Sequence, residues 1–247
     1  MGNRYMLKES FDSAIVKSPL FRGVDQQTVS SIAGSLAEES WSKGQLIMGA
    51  ADSVASFRLV TAGRVKIVRS HSQDGHELTL WLLGPGDGFD IVSLLDGKPH
   101  AVTAWALDNV VTGAAPMSSW HEWLEQSRPL RLAAHRYIAD KLREIDELAG
   151  DLGLHETSAR LAHLLLRHFG STQDNLLRDL PQREIASMIG SVRIVVSRLL
   201  AEMRRQGVVD LHGGAVRAVD LKRLLASAES ELAHAKVAAR EAKVRTR

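Results

Sequence analysis

The 247-residue chain contains no cysteine. That absence excludes disulfide frameworks, iron–sulfur clusters held by thiolates, zinc sites built on Cys and every cysteine nucleophile. Metal or redox chemistry would have to run through His, Met, carboxylates or a bound cofactor. No apolar stretch approaches the 18 residues of a membrane span, and Met1 to Ser10 lacks the apolar core of a secretory signal. Gly2 is not followed by the Ser or Thr that myristoylation needs, because position 6 is Met6. A cytoplasmic chain without membrane attachment is the expectation. Aromatics are sparse at 5%, yet 45% hydrophobic and 24% charged residues make an ordinary globular composition, which sets aside disordered and collagen-like chains.

The formal net charge is only +2, but it is unevenly placed. From Gly153 onward 16 Lys/Arg stand against 10 Asp/Glu; before it the count is 15 against 19. A basic C-terminal part joined to a mildly acidic N-terminal part suits a nucleic-acid-binding domain attached to a domain of another kind.

Three textures follow along the chain. Up to about Ser118, short apolar runs alternate with glycine turns: Gly44 to Met48, Phe57 to Gly63, Val65 to Arg69, Leu78 to Gly84 and Ala101 to Leu107. Period-two alternation at Val65-Lys66-Ile67-Val68, with turn signals at Asp74-Gly75 and Pro85 to Gly88, predicts an antiparallel sandwich or barrel. Ahead of it, Asp25 to Glu39 reads as a helix with Val29, Ile32, Ala33 and Leu36 on one face. From Pro129 to Gly150, Leu130, Ala133, Ala134, Tyr137, Ile138, Leu142, Ile145 and Leu148 recur at three- and four-residue steps, one long amphipathic helix. Its stripe, Leu130, Ala134, Tyr137, Ile138 and Ile145, could form a seam with a second copy or lie on the chain's own β domain.

The third texture is helical and basic. Glu156 to Phe169 presents Leu161, Leu164 and Leu165, and a polar loop follows from Gly170 to Asp179. Pro181 then suits a first helical turn, and Ile185, Ala186 and Ile189 make a short buried face. Gly190 can take a left-handed turn. Val192, Val196, Leu199 and Leu200 begin a second buried face behind Arg193, Ser197 and Arg198. This is a helix-turn-helix pattern, with Ser191 read as the second helix's N-cap. Two alternating segments around Gly213-Gly214 read as a β wing.

The order roll, long helix, helix-turn-helix, wing resembles the CRP/FNR family of bacterial transcription regulators from Ser18 to about Leu225. The resemblance rests on Pro19 to Gly23, Gly44, Ala62 to Lys66, Asp74-Gly75, Leu83 to Asp87, Phe89 and Ser93 to Gly97. It continues through Arg183-Glu184-Ile185-Ala186, Gly190 and Ser197-Arg198. It implies an α+β chain with an N-terminal double-stranded β-helix (jelly-roll) sensor domain at 18–128. A dimerisation helix and hinge at 129–152 follow, then a winged helix-turn-helix at 153–226 and a charged extension at 227–247. It implies a homodimer on palindromic double-stranded DNA, contact with RNA polymerase if the protein is an activator, and a small-molecule effector in the roll.

Within that frame Arg193 and Arg198 are candidates for bidentate contacts to guanine, and Arg183, Ser191 and Ser197 for phosphate or reader contacts. Ile194 stands where the family usually places a glutamate. Isoleucine can touch a thymine methyl but cannot accept from cytosine N4. For the effector, the family's cyclic-nucleotide signatures align with Asp90-Ile91, His100-Ala101 and, on the long helix, Ile145-Asp146. A carboxylate at Asp90 would repel a cyclic phosphate, so the residues argue against cyclic AMP. The iron–sulfur branch is closed by the missing cysteines. Haem sensing of NO or CO stays open, with His71, His76, His100 and His135 as ligand candidates, although the carbon-monoxide sensor's haem histidine aligns with Val92.

A hinge is expected where Gly150 to Gly153 interrupts the long helix. Lys236, Arg240, Lys243, Arg245 and Arg247 in the extension either touch phosphates or solvate it. Enzyme signatures are lacking: His121-Glu122 has no second zinc His, the Gly84 to Gly88 loop has no Lys, and no Gly-x-Ser-x-Gly occurs. A roll that regulates a partner protein is the other non-enzyme reading, and the helix-turn-helix speaks against it.

Overall fold

The computed structural model describes residues 13–70, 76–169 and 175–225. The Asp74-Gly75 hairpin, His71, the polar loop before Asn175 and the extension at 227–247 lie outside the described residues. The chain divides between Leu148 and Ala149 into two compact units.

In the first unit helix α1 (Gln26–Ser35) starts where the Asp25 carboxylate accepts the N–H of Thr28 at 2.9 Å, which holds that carboxyl below the usual aspartate range. The expected helix to Glu39 stops short. Leu36 turns to extended backbone, and Ala37–Trp41 forms strand β1. The reason lies across the neighbouring strand: Glu39 and Trp41, two apart and so on one face, both reach Arg58. The Glu39–Arg58 ion pair measures 2.8 Å, and Trp41 also donates its indole N–H to Thr112.

The following elements are β2 (Leu46–Met48), β3 (Ser56–Ala62), β4 (Val65–Ser70), β5 (Glu77–Leu83), β6 (Gly88–Phe89), α2 (Ile91–Asp96), β7 (Thr103–Ala106), β8 (Val110–Pro116) and α3 (Met117–Gln126). Two four-stranded antiparallel sheets result, in the orders β1-β8-β3-β6 and β2-β7-β4-β5. Alternation along β3 feeds two cores. Phe57 and Leu59 join a helix-side cluster with Leu20, Ile32, Trp120, Leu130, Ala134 and Tyr137, while Val60 joins Ile67, Leu83, Phe89 and Ala104 in a second cluster. Phe57 meets Trp120 edge to face, with centroids 4.9 Å apart.

Helix α4 spans Arg128–Leu154. Of the residues read as a seam, Leu130, Ala134 and Tyr137 are buried in this chain's own helix-side cluster, and Ile138 packs against it. They are therefore not a free stripe for a second chain. Ile145 is half-buried and Leu142, one turn before, is 66% exposed. The expected break at Gly150 to Gly153 does not occur. The glycines' helix cost, about 1 kcal/mol each, is offset where buried Asp151 is held by His163 at 2.7 Å and Arg167 at 3.0 Å.

The second unit contains α5 (Thr157–Phe169), α6 (Gln182–Met188), α7 (Arg193–Arg205) and a hairpin of β9 (Val209–His212) with β10 (Ala215–Val219). Leu161, Leu164 and Leu165 of α5, Ile185 and Ala186 of α6, and Val196 and Leu200 of α7 are buried. No helix among the described residues is long and apolar enough to cross a membrane.

Two consequences can be measured. The Tyr137 hydroxyl accepts the N–H of Gly88 at 3.0 Å inside the core, so Tyr137→Phe leaves that donor unpaired. The roll should lose about 1–3 kcal/mol, read by tryptophan fluorescence in denaturant, because all five tryptophans precede Gln126.

His168 is held to a pKa of about 4 by burial and then by the Arg167 charge. Its neutral form is the folded one, so the second unit keeps this stability above pH 6.5 and loses it as pH falls toward 4. The loss should be about 2 kcal/mol between pH 7 and pH 5. Circular dichroism of the wild type against His168→Leu checks it; equal pH slopes would refute it.

Candidate effector recess and DNA-reading surface

Residue Gly88 has no room for a side chain, since a Cβ there would run into Phe57 and Leu20. The bare backbone lets Tyr137 stand on the β6 turn, its hydroxyl also 3.0 Å from the Gly88 carbonyl and 3.2 Å from Asp87 Oδ1. Burial foremost, with the Asp87 charge, raises the Tyr137 pKa well above the usual phenol value.

Beside this turn the roll holds a recess of about 310 Å3 including its mouth. Met48, Ile67, Trp81, Leu83, Phe89, Ile91 and Val102 supply its apolar wall, and Asp90 and Lys141 its charged groups.

Each charged group at the recess already has partners. Asp90, buried, caps α2 by accepting the N–H of Val92 at 3.0 Å, and its other oxygen is 2.6 Å from His100 Nδ1. Lys141 is buried on α4, with Nζ 2.9 Å from Glu144, 3.6 Å from Asp87 and 5.4 Å from the Tyr137 ring centre. Trp81 buries its indole N–H with no hydrogen-bond partner among the described residues.

Among the residues expected here, Asp90 and Ile91 line the recess, and His100 stands behind Asp90. Ala101 is exposed and does not line it; nor do Ile145 and Asp146, whose place from α4 is taken by Lys141. Lys141 and Trp81 were not anticipated. A lysine one turn from the aligned pair on the same helix was the available signal. His76 and His135 are exposed, and among the described residues the wall of the recess includes no histidine. His121 bonds the Leu94 carbonyl at 2.8 Å, tying α3 to α2.

In the second unit α6 and α7 meet at a tight turn. Gly190 has φ +58, a left-handed conformation that favours glycine, and the Ser191 N–H donates back to Ala186 at 2.9 Å. Here three readings need correction. The N-cap of α7 is Val192, so Ser191 lies just outside the helix, and Val192 itself is half exposed, not part of the buried face. Pro181 is likewise the residue before α6, not within its first turn.

Along α7, Val196 and Leu200 point inward while Arg193, Ile194, Ser197 and Arg198 share the exposed face, joined by Arg204 and Arg205. Ile194, at 73% exposure, is a large apolar side chain offered to solvent at the start of the helix. Arg183, exposed at the start of α6, is 2.9 Å from the buried Glu184 carboxylate. The wing is fastened to this module through Gln182, which donates to the Gly214 carbonyl at 2.6 Å.

A helix whose N-terminal half shows arginines and one apolar side chain, beside a wing, has the side-chain chemistry that major-groove reading uses. Replacing Arg198 by Ala should weaken specific binding by roughly 5- to 150-fold, the worth of one bidentate contact. In selection from randomised duplexes the Ile194→Glu variant should exchange a thymine for a cytosine at one half-site position. Identical selected sites for variant and wild type would show that Ile194 does not read a base.

Comparison with known proteins agrees with both halves. Residues 38–127 match the family described as Cyclic nucleotide-binding domain, and residues 159–227 the Crp-like helix-turn-helix domain. The chain is 26% identical over 219 residues to the CRP-like cAMP-activated global transcriptional regulator of Mycobacterium tuberculosis, covering 86% of this chain and 97% of that one. It is 32% identical over 202 residues to the Cyclic AMP receptor protein of Thermus thermophilus, covering 81% and 91%. The solved structure of FixK2 from Bradyrhizobium japonicum superposes with a TM-score of 0.69 at 22% identity, covering 76% of this chain and 95% of that one, a likeness of fold. With its roll, its long helix and its winged helix-turn-helix in this order, the chain belongs to the CRP/FNR family of DNA-binding transcription regulators.

Proposed function

We propose that this regulator acts as a homodimer whose two α7 helices read a two-fold related operator on double-stranded DNA, under control of an uncharged, mainly apolar small molecule in the roll. It works by binding, with RNA polymerase contact if it activates, and not by catalysis. The single observation that carries the DNA reading is the exposed face Arg193, Ile194, Ser197 and Arg198 on α7.

The dimer reading is supported by a stripe distinct from the one packed on the roll. Leu142 and Ile145 follow at a three-residue step, a spacing found in coiled-coil seams; Leu142 is 66% exposed and Ile145 half-buried.

The effector reading is supported by the chemistry of the recess. The Mycobacterium relative is called cAMP-activated, and the Thermus relative a cyclic AMP receptor. Here an anionic phosphate would come beside Asp90, and Lys141, the cation lining the wall among the described residues, is already engaged by Glu144. A cyclic phosphate does not fit these residues. The group left to satisfy is the Trp81 N–H, which calls for a ligand carrying a neutral hydrogen-bond acceptor on an apolar body. For haem the wall offers no axial imidazole among the described residues, and His100 Nδ1 is engaged by Asp90.

Light scattering after size exclusion should give the mass of two chains for the wild type and of one for Leu142→Glu, with operator affinity falling at least tenfold. A wild-type monomer, or an unaffected variant, counts against the seam. Adding cyclic AMP at millimolar concentration should leave operator affinity unchanged; a rise of tenfold or more would overturn the effector reading while leaving the DNA reading intact.

A further inference from the structure

Three metal-ligating side chains that take no part in the two sites above converge where α4 ends. Asp151 and His155 are four residues apart, one helical turn, and His163 approaches from α5; one ligand atom from each lies within 4.8 Å of the others. Asp151 is buried, His163 half-buried and His155 exposed, so the cluster is anchored on its inner side and reachable from solvent. The Asp151 Oδ1 atom is 2.7 Å from His163 Nδ1, and the two imidazole rings stand edge to face with centroids 4.9 Å apart. Asp151 Oδ2 accepts from Arg167 at 3.0 Å.

We infer that Asp151, His155 and His163 form a binding site for a divalent transition-metal ion of the imidazole-preferring kind, with zinc as its first representative. Two imidazoles and one carboxylate suit zinc, cobalt, nickel and copper, whereas calcium and magnesium require an oxygen shell that this cluster lacks. Zinc–nitrogen and zinc–oxygen bonds of about 2.0–2.1 Å place tetrahedral ligands roughly 3.3 Å apart. The observed spread therefore closes by rotating the exposed His155 ring inward, and the Asp151–His163 hydrogen bond opens by about half an ångström.

Arg167 has a defined part. Ligating carboxylates are themselves held by an outer partner, and the guanidinium on Oδ2 leaves Oδ1 aimed at the imidazoles. Its positive charge balances the Asp151 carboxylate, so attraction for hard cations is low and selectivity rests on nitrogen donors. The chelate joins the last turn of α4 to α5, two elements of the DNA-binding unit, and so adds a link between helices independent of any roll ligand.

The test uses the full chain with any affinity tag removed, stripped by chelator and dialysed against micromolar zinc. One zinc per chain by mass spectrometry of the metal, a visible absorption band of four-coordinate cobalt on substitution, and an upward shift of the circular-dichroism melting curve are expected. His155→Ala should abolish all three without touching the Asp151–His163 bond, and His163→Gln should do so as well. His135→Ala, an exposed histidine elsewhere on α4, should keep all three. Zinc below one-tenth per chain, zinc retained in His155→Ala, or zinc lost in His135→Ala would each overturn the site.

Discussion

The hydrogen bond between the Tyr137 hydroxyl and the Gly88 N–H joins the long helix to the strand turn from which the recess is built. Gly88 allows it by having no side chain, and Phe57 and Leu20 fill the space that a Cβ would claim. One turn along α4, Lys141 reaches the same wall as Asp90. A ligand that displaced the β6 turn would therefore act on two α4 side chains at once, one hydrogen-bonded and one ionic. Ligand control needs such a differential contact, because a molecule that meets both arrangements equally shifts neither.

This contact also explains why α4 carries more apolar surface than one partner needs. Leu130, Ala134, Tyr137 and Ile138 are spent on the roll, and Leu142 and Ile145, further along the helix, are not part of that cluster. A sequence stripe wide enough for two neighbours looks like a single broad face until burial separates its halves.

Much of this fold was legible in the chain. The short apolar runs at Phe57 to Gly63, Val65 to Arg69 and Leu78 to Gly84 became β3, β4 and β5, and the Gly190 and Gly213-Gly214 turns stand where the helix-turn-helix and wing require them. The arginines, Ser197 and Ile194 of α7 lie on one exposed face because a 3.6-residue period leaves few other choices once Val196 and Leu200 are buried. What stayed hidden depends on partners distant in sequence. Ala37–Trp41 is polar enough to pass for a helix end, and only Arg58 and Thr112 reveal it as a strand. Val110–Pro116, with Gly113, Ala114 and Ala115, is too poor in large apolar residues to announce a central strand, yet small side chains suit a strand flanked by β1 and β3. Gly150 and Gly153 signal a break by propensity, and the bonds of Asp151 to two side chains on α5 override them. The recess suffered the same fate: motif alignment points to Ile145 and Asp146, while the side-chain length of Lys141 decides which helix residue arrives.

Strand β1 lies at the outer end of its sheet, with β8 on one side and no strand of the described residues on the other. Its sequence places Glu38 and Glu39 in succession, with Glu38 exposed and Glu39 tied to Arg58. An open strand edge is a template on which further chains can add, and carboxylates there make each added chain repel the last. The same polar residues that disguise β1 as a helix end thus protect a sandwich with an open rim from growing into a fibre.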